Sequence, residues 1–241
     1  MTTATVWAIV PAAGIGSRMM TSTPKQYLHI NGRVVLAHTL DRLAAVPSIK
    51  RIVVALHPQD RLWPNLGIDE GGRLRHCDGG ANRCESVLNA LQALEGEASP
   101  DDLVLVHDAV RPCVSIKDIK GVIEAAQQHA SGALLAIPAS STLKKADAHG
   151  NVVATVDRSD IWEAATPQVF RYDLLRWALS DAVAAGRQVT DESSALEMAG
   201  YAPQLVRGSA DNIKITYPEH LHMAEMILAQ QGQAHLHGGY H

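Results

Sequence analysis

Residues 6–27 read VWAIVPAAGIGSRMMTSTPKQY. Val6–Val10 is a short apolar run of strand character, and a loop with two glycines follows it. In an α/β sheet such a loop lies at the carboxyl end of the first strand, where these folds bind ligands. Gly14-Ile15-Gly16 begins like a dinucleotide fingerprint, but Met19 stands where a third glycine would let helix and strand pack tightly. No acidic residue follows a second strand at the usual place, and the GxxxxGK[ST] pattern is absent. Two glycines allow backbone amides to approach a phosphate chain, and Arg18 and Lys25 add full positive charge. Pro24 holds the residue before it extended and so stiffens the presentation of Lys25. The loop suits a triphosphate. The alternative is a structural turn whose two cations are solvated.

Outward from this loop, apolar β-branched runs recur at Arg51–Leu56, Arg73–Cys77, Leu103–His107 and Gly132–Pro138. Between them Val34–Val46, Cys84–Leu94 and Ser115–His129 carry apolar residues at intervals of three and four; Ile116, Ile119, Val122, Ile123 and Ala126 share one face. This alternation predicts parallel βαβ units, with runs such as LVLV buried on both faces between layers of helices. The alternation breaks at residues 139–160. There Ser141–Ala146 and Asn151–Asp157 flank the turn Asp147-Ala148-His149-Gly150, which predicts a β-arm projecting from the sheet. Beyond it come the run Ile161–Phe170, helices near Tyr172–Ala185 and Asp191–Ala199, the runs Gln204–Arg207 and Asn212–Thr216, and a last helix opened by Pro218. The expected organisation is one domain over residues 1–230, with a fraying tail at 231–241.

Composition narrows the function classes. Of 241 residues 46% are apolar and 19% charged, which is ordinary for a soluble globular chain. A net charge of −4 argues against a general nucleic-acid binder, yet leaves room for a local cluster of cations around a phosphorylated ligand. Three cysteines without a CxxC pair suggest neither a disulfide framework nor a zinc site. The start lacks a signal-peptide pattern, and no apolar run approaches the ~18 residues of a membrane span. The default is a cytoplasmic protein with no membrane partner. The twelve histidines are scattered, and those near the end read as adventitious metal binders.

Pro11-Ala12-Ala13-Gly14-x-Gly16-x-Arg18-Met19, with Pro24-Lys25-Gln26-Tyr27, resembles the signature loop of the 2-C-methyl-D-erythritol 4-phosphate cytidylyltransferases. Further matches follow in the family's order: Asp78-Gly79-Gly80 with Arg83 and Ser86-Val87, His107-Asp108-Ala109 with Arg111-Pro112, Val156-Asp157-Arg158, Ala165-Thr166-Pro167-Gln168, Thr190-Asp191-Glu192, and Ala210-Asp211-Asn212-Ile213-Lys214. They span roughly residues 6–228. The resemblance implies a Rossmann-like nucleotidyltransferase domain that transfers CMP from CTP to methylerythritol phosphate and releases pyrophosphate.

The same resemblance assigns residues. Arg18 and Lys25 would stabilise the transition state, and Arg158 and Lys214 would hold the acceptor phosphate, with Thr166, Thr190 and Asp191 as further substrate contacts. Pro11, Ala12, Ala13, Gly14, Gly16, Gly80, Ala81, Ser86, Asp108, Ala109 and Arg111 would bind the nucleotide. Asp108 and Asp211 would serve Mg²⁺ or another divalent cation. The arm would interlock two subunits into a homodimer, bringing Arg158 to its neighbour's site. Other readings of these residues stay open: an Asp108–Arg111 salt bridge, a turn before Pro167, and a helix N-terminus at Thr190-Asp191. Asn82 and Val110 depart from the family's common residues. Rival functions are a ribitol-5-phosphate cytidylyltransferase, an NAD-dependent reductase, and a catalytically silent nucleotide-binding module. Pro11-Ala12-Ala13-Gly14 and the 210–214 segment disfavour the first, Met19 the second, and the retained Arg18 and Lys25 the third.

Overall fold

The computed structural model describes residues 4–14, 23–68 and 72–237. The opening run is strand β1 (Val6–Pro11). Val6, Ala8 and Val10 join one hydrophobic cluster, while Trp7 and Ile9 join another. A strand alternates its side chains between two faces, so β1 is buried on both and must be central. A small hairpin, β2 (His29–Ile30) and β3 (Arg33–Val34), leads into helix α1 (Val35–Ala44). Next come β4 (Ile49–Leu56), β5 (Leu74–Asp78), α2 (Arg83–Gln92), β6 (Leu103–Val106) and α3 (Ile116–Gln128). Strand β7 (Ala133–Pro138) precedes a two-stranded hairpin, β8 (Leu143–Ala146) and β9 (Val152–Val156). The chain then forms β10 (Trp162–Arg171), α4 (Tyr172–Ala184), α5 (Glu192–Met198), β11 (Gln204–Arg207) and α6 (Glu219–His237).

Among the described residues the main sheet has seven strands in the order β11-β7-β10-β6-β1-β4-β5. Every neighbouring pair is parallel except those of β10, which runs antiparallel to both β6 and β7. The reason is the arm. β7 and β10 are the two ends of one long hairpin, so the chain must return in the opposite direction. Helices cover both faces, as the periodicity predicts. Leu36, Leu40 and Leu43 of α1 pack with Ile119, Val122 and Ile123 of α3 on one side. Val87 and Leu91 of α2, Leu175 and Leu179 of α4 and Leu196 of α5 pack on the other. Each such buried aliphatic side chain contributes about 1.5–3 kcal/mol, so a charge placed at Leu105 or Ile9 would break the sheet's centre.

Helix starts are chemically marked. Ser115 caps α3 by accepting from the Asp118 N–H at 3.0 Å, and Asn82 caps α2 by accepting from the Glu85 N–H at 2.9 Å. One expectation needs correction. The run Asn212–Thr216 is not a strand: Ile215 is buried in a third cluster with Val35, Val110 and Ala224, and its N–H donates to the Val110 carbonyl at 2.9 Å. The segment therefore crosses the carboxyl end of the sheet instead of joining an edge. Helix α6 runs to His237, into the stretch expected to fray. The residues there are mostly tolerable helix formers, and one glycine costs only about 1 kcal/mol.

Candidate active site

The loops after β1, β5 and β6 meet at the carboxyl end of the sheet and enclose a cleft of about 180 Å³. The β1 loop supplies Pro11, Ala12, Ala13 and Gly14, with Lys25 and Gln26 from the short turn that follows. Gln26 ties this loop: its Nε2 donates to the Ala12 carbonyl at 2.7 Å and to the Gly14 carbonyl at 3.2 Å. Gly16 and Arg18 lie outside the described residues.

The β5 loop supplies Gly80, Ala81 and Asn82, and α2 supplies Arg83 and Ser86. Here the glycines are required by close approach. A Cβ on Gly79 would stand 2.6 Å from the Ala13 Cβ, and one on Gly80 would stand 2.3 Å from the Glu85 Cβ. At Gly79 the two loops touch with no room for a side chain, and at Gly80 the turn closes on the first turn of α2. Ser86 holds the turn, since its hydroxyl donates to the Asn82 carbonyl at 2.8 Å and accepts from the Gly80 N–H at 3.1 Å. Glu85 accepts from the Ala81 N–H at 3.0 Å and from Asn82 Nδ2 at 2.6 Å. Asn82 is thus integral to the loop, both as cap and as clamp.

The floor is built on the β6 loop around Asp108, which is almost fully buried. Its Oδ1 receives Arg83 Nε at 3.3 Å and Nη2 at 3.2 Å. Its Oδ2 receives Arg111 Nε at 3.2 Å and Lys214 Nζ at 2.9 Å. Burial alone would raise the carboxyl pKa, but Arg83, Lys214 and Arg111 outweigh it and hold it well below the ordinary carboxylate range. Glu192, fully buried at the start of α5, takes the other side of the Arg83 guanidinium at 2.5 and 3.0 Å. Three cations thus face two carboxylates, leaving a positive surplus before Lys25 is counted. This surplus suits a polyanion.

A second network orients the same loop. The Asp108 N–H donates to Thr166 Oγ1 at 3.0 Å, and Thr166 Oγ1 lies 3.0 Å from His107 Nδ1. With its single proton, the hydroxyl then donates to Nδ1, and Nε2–H of His107 donates to the Arg111 carbonyl at 3.1 Å. Burial lowers the His107 pKa to about 4, so the ring is neutral at pH 7 and this polarity is fixed. Asn212 closes the ring of contacts: Nδ2 donates to the Thr166 carbonyl at 2.8 Å, and its own carbonyl accepts from Arg111 Nη1 at 2.8 Å.

Of the residues expected from sequence, Pro11, Ala12, Ala13, Gly14, Lys25, Gly80, Ala81, Ser86, Asp108, Ala109 and Lys214 line one cleft. Arg111 and Thr166 stand behind it as supports. Thr190 is exposed, with its N–H donating to Ser194 Oγ. Asp191 spends its carboxylate on capping α5, accepting from the Ser194 N–H at 3.0 Å, and on Gln168 Nε2 at 2.8 Å. Asp211 sits on an exposed turn, and among the described residues no three His, Cys, Asp or Glu side chains form a metal-binding group. Arg158 is exposed at the arm's root, where it reaches the Ser140 carbonyl. Sequence reading gave no site role to Gln26, Glu192 or Asn212. Arg83 carried a usable signal, as a cation opening a helix directly after a glycine loop.

Residues 6–230 match the family described as 2-C-methyl-D-erythritol 4-phosphate cytidylyltransferase. A protein of that name from Pseudomonas fluorescens is 49% identical over 216 residues, covering 89% of this chain and 92% of its own. One from Hahella chejuensis is 46% identical over 223 residues, covering 92% of each. The crystal structure of the Francisella tularensis 2-C-methyl-D-erythritol 4-phosphate cytidylyltransferase superposes with a TM-score of 0.81 at 38% identity, over 92% of this chain and 99% of that one.

Proposed function

The chain belongs to the 2-C-methyl-D-erythritol 4-phosphate cytidylyltransferase family, and from that premise we propose that it transfers CMP from CTP to 2-C-methyl-D-erythritol 4-phosphate. The products are 4-diphosphocytidyl-2-C-methyl-D-erythritol and pyrophosphate. A phosphate oxygen of the acceptor forms a bond to the α-phosphorus of CTP as the bond from that phosphorus to the bridging oxygen of pyrophosphate breaks. The acceptor is a phosphate monoester with a second pKa of ~6, so it arrives ionised and no general base is required. The barrier lies in bringing two polyanions together and stabilising charge on the α-phosphate, tasks for positioned cations.

The observation that carries this reading is the cation cluster on Asp108 beside two loops packed too closely for a Cβ. Lys25 and Arg18 serve the α-phosphate. Lys214, held by Asp108, serves the acceptor phosphate. The 79–82 loop, with Ala12 and Ala13, presents backbone groups to the cytosine edge and thereby selects C over U. Thr190 and Asp191 belong to the acceptor side. Arg158 joins it from a second subunit, an arrangement supported by the arm: Val152 and Val153 are 64% and 60% exposed on β9, a surface suited to a homodimer contact.

The residues fit a divalent cation in a limited form. Mg²⁺ usually takes one or two carboxylates and completes its shell with phosphate oxygens and water, and Asp108 is an ionised carboxylate lining the cleft. Asp108 and Asp211 would hold the ion, which when bound offsets triphosphate charge. A cytoplasmic location goes with the use of CTP, and among the described residues no helix is long and apolar enough to cross a membrane.

Pyrophosphate release tests the proposal, with CTP or UTP and with methylerythritol phosphate or ribitol 5-phosphate. Turnover confined to CTP and methylerythritol phosphate is expected. Turnover with ribitol phosphate alone would overturn the acceptor assignment while leaving the nucleotide chemistry intact.

A further inference from the structure

Arg83 lines the cleft with a partly exposed side chain, yet its guanidinium is committed to carboxylates of the protein. Nη1 and Nη2 fork onto Glu192, and Nε and Nη2 reach Asp108. A guanidinium carries five N–H donors, so little is left for a phosphate. Glu192 follows directly on the Thr190-Asp191 segment and opens α5. Asp108 in turn holds Lys214 on its other oxygen. A continuous brace therefore runs from α5, through the first residue of α2, to the loop after β6 and on to Lys214. Such a buried pair gives little net stability over apolar side chains of the same volume, so stability alone does not account for it.

We infer that Glu192 and Arg83 are positioning residues for the transfer: their fork fixes Asp108, and through it Lys214, relative to the loop at 79–82. This rests on the cytidylyltransferase reading of the cleft. The brace touches no reacting atom. It keeps the acceptor-side cation and the nucleotide loop in one rigid frame, and an error of about 1 Å in such a frame costs about 100-fold in rate.

Three variants of the full chain test this: Glu192→Gln, Arg83→Lys, and the double variant Arg83→Met with Glu192→Met, whose apolar pair preserves folding. In each, kcat with CTP and methylerythritol phosphate is expected to fall about 10- to 100-fold, while the calorimetric Kd for CTP stays within about threefold. Arg83→Lys does not rescue, because an ammonium lacks the planar fork. The single and double variants fall by similar factors, as residues acting through one unit do. Amide exchange at residues 209–216 quickens in all three. A folded double variant, or Arg83→Lys, with kcat within about twofold of wild type would overturn the inference. So would a loss of CTP affinity parallel to the loss of kcat, which would make Arg83 a nucleotide ligand. Exchange reads the brace apart from turnover. If the wild type itself were inactive with these substrates, the functional reading would fail, but quickened exchange at 209–216 would still support the brace and unchanged exchange would overturn it.

Discussion

Replacing Asp108 by Asn keeps the shape of the side chain and removes one negative charge from beneath three cations. Two of the four contacts to its oxygens come from Arg83, one from Arg111 and one from Lys214, all between 2.9 and 3.3 Å. Removing one partner of a buried ion pair costs 3–5 kcal/mol, mostly because the remaining charge is stranded. The Arg83 and Lys214 side chains are 30% and 38% exposed, so they can turn partly to water, which sets the cost near the low end. We expect about 3 kcal/mol. A domain of this size loses about 2–4 °C in Tm per kcal/mol, giving a fall of roughly 6–12 °C by differential scanning fluorimetry without ligands. The pH dependence adds a check. A carboxyl held far below its ordinary pKa contributes stability that is fully present above about pH 4 and is lost only as pH falls further. The gap between wild type and variant should therefore stay constant from pH 8 to pH 5. A Tm unchanged or raised at pH 7 would refute the reasoning, since it would mean that Asp108 is an uncompensated charge and not the hub of the cluster.

Lys25→Ala should fold normally and lose about 10²–10³ in kcat; retention of more than half of wild-type pyrophosphate release would rule out its catalytic role. Gly79→Ala drives a methyl against the Ala13 Cβ and the Leu56 carbonyl, so urea unfolding should show a loss of about 1–3 kcal/mol and KM for CTP should rise. Unchanged stability would show that the loops part freely. Burial pushes the Cys113 thiol up from 9.0 to about 12. A raised folded pKa gives stability that is complete below pH 9 and is lost as pH climbs toward 12, at up to about 1.4 kcal/mol per unit. Cys113→Ala should flatten the stability curve between pH 9 and pH 11, and an unaltered slope would contradict the burial argument.

The sequence made the sheet legible where local pattern is enough. The run LVLV and the helical spacing in 116–126 became β6 and α3 because burial on two faces or on one stripe leaves a periodic trace. The direction of β10 left no such trace, since an apolar strand reads alike whether its neighbours run with it or against it. Its antiparallel course follows from the arm, not from its own residues. The run 212–216 failed as a strand for a related reason. Ile213 and Ile215 are apolar because they cover the hairpin and α6, and no ladder is needed for that. In the site, the glycine loop and Lys25 were legible from residue type, because phosphate chemistry demands small residues and cations together. The partnership of Arg83 with Glu192 was not, because 109 positions separate them and nothing local requires a carboxylate at the start of α5.

The strand order also dictates a sequence of events at the ribosome. β1, β4, β5 and β6 are complete once Val106 has been made, and they can pair as a parallel half-sheet. β6 then presents an open edge of Leu and Val, and β7 cannot close it, because the native neighbour of β6 is β10. That edge waits until Gln168–Arg171 emerge, a delay of several seconds at about 5–20 residues per second. An unpaired apolar edge is a template for pairing with other chains. The nascent chain therefore carries this open edge for as long as α3, β7 and the arm are being translated.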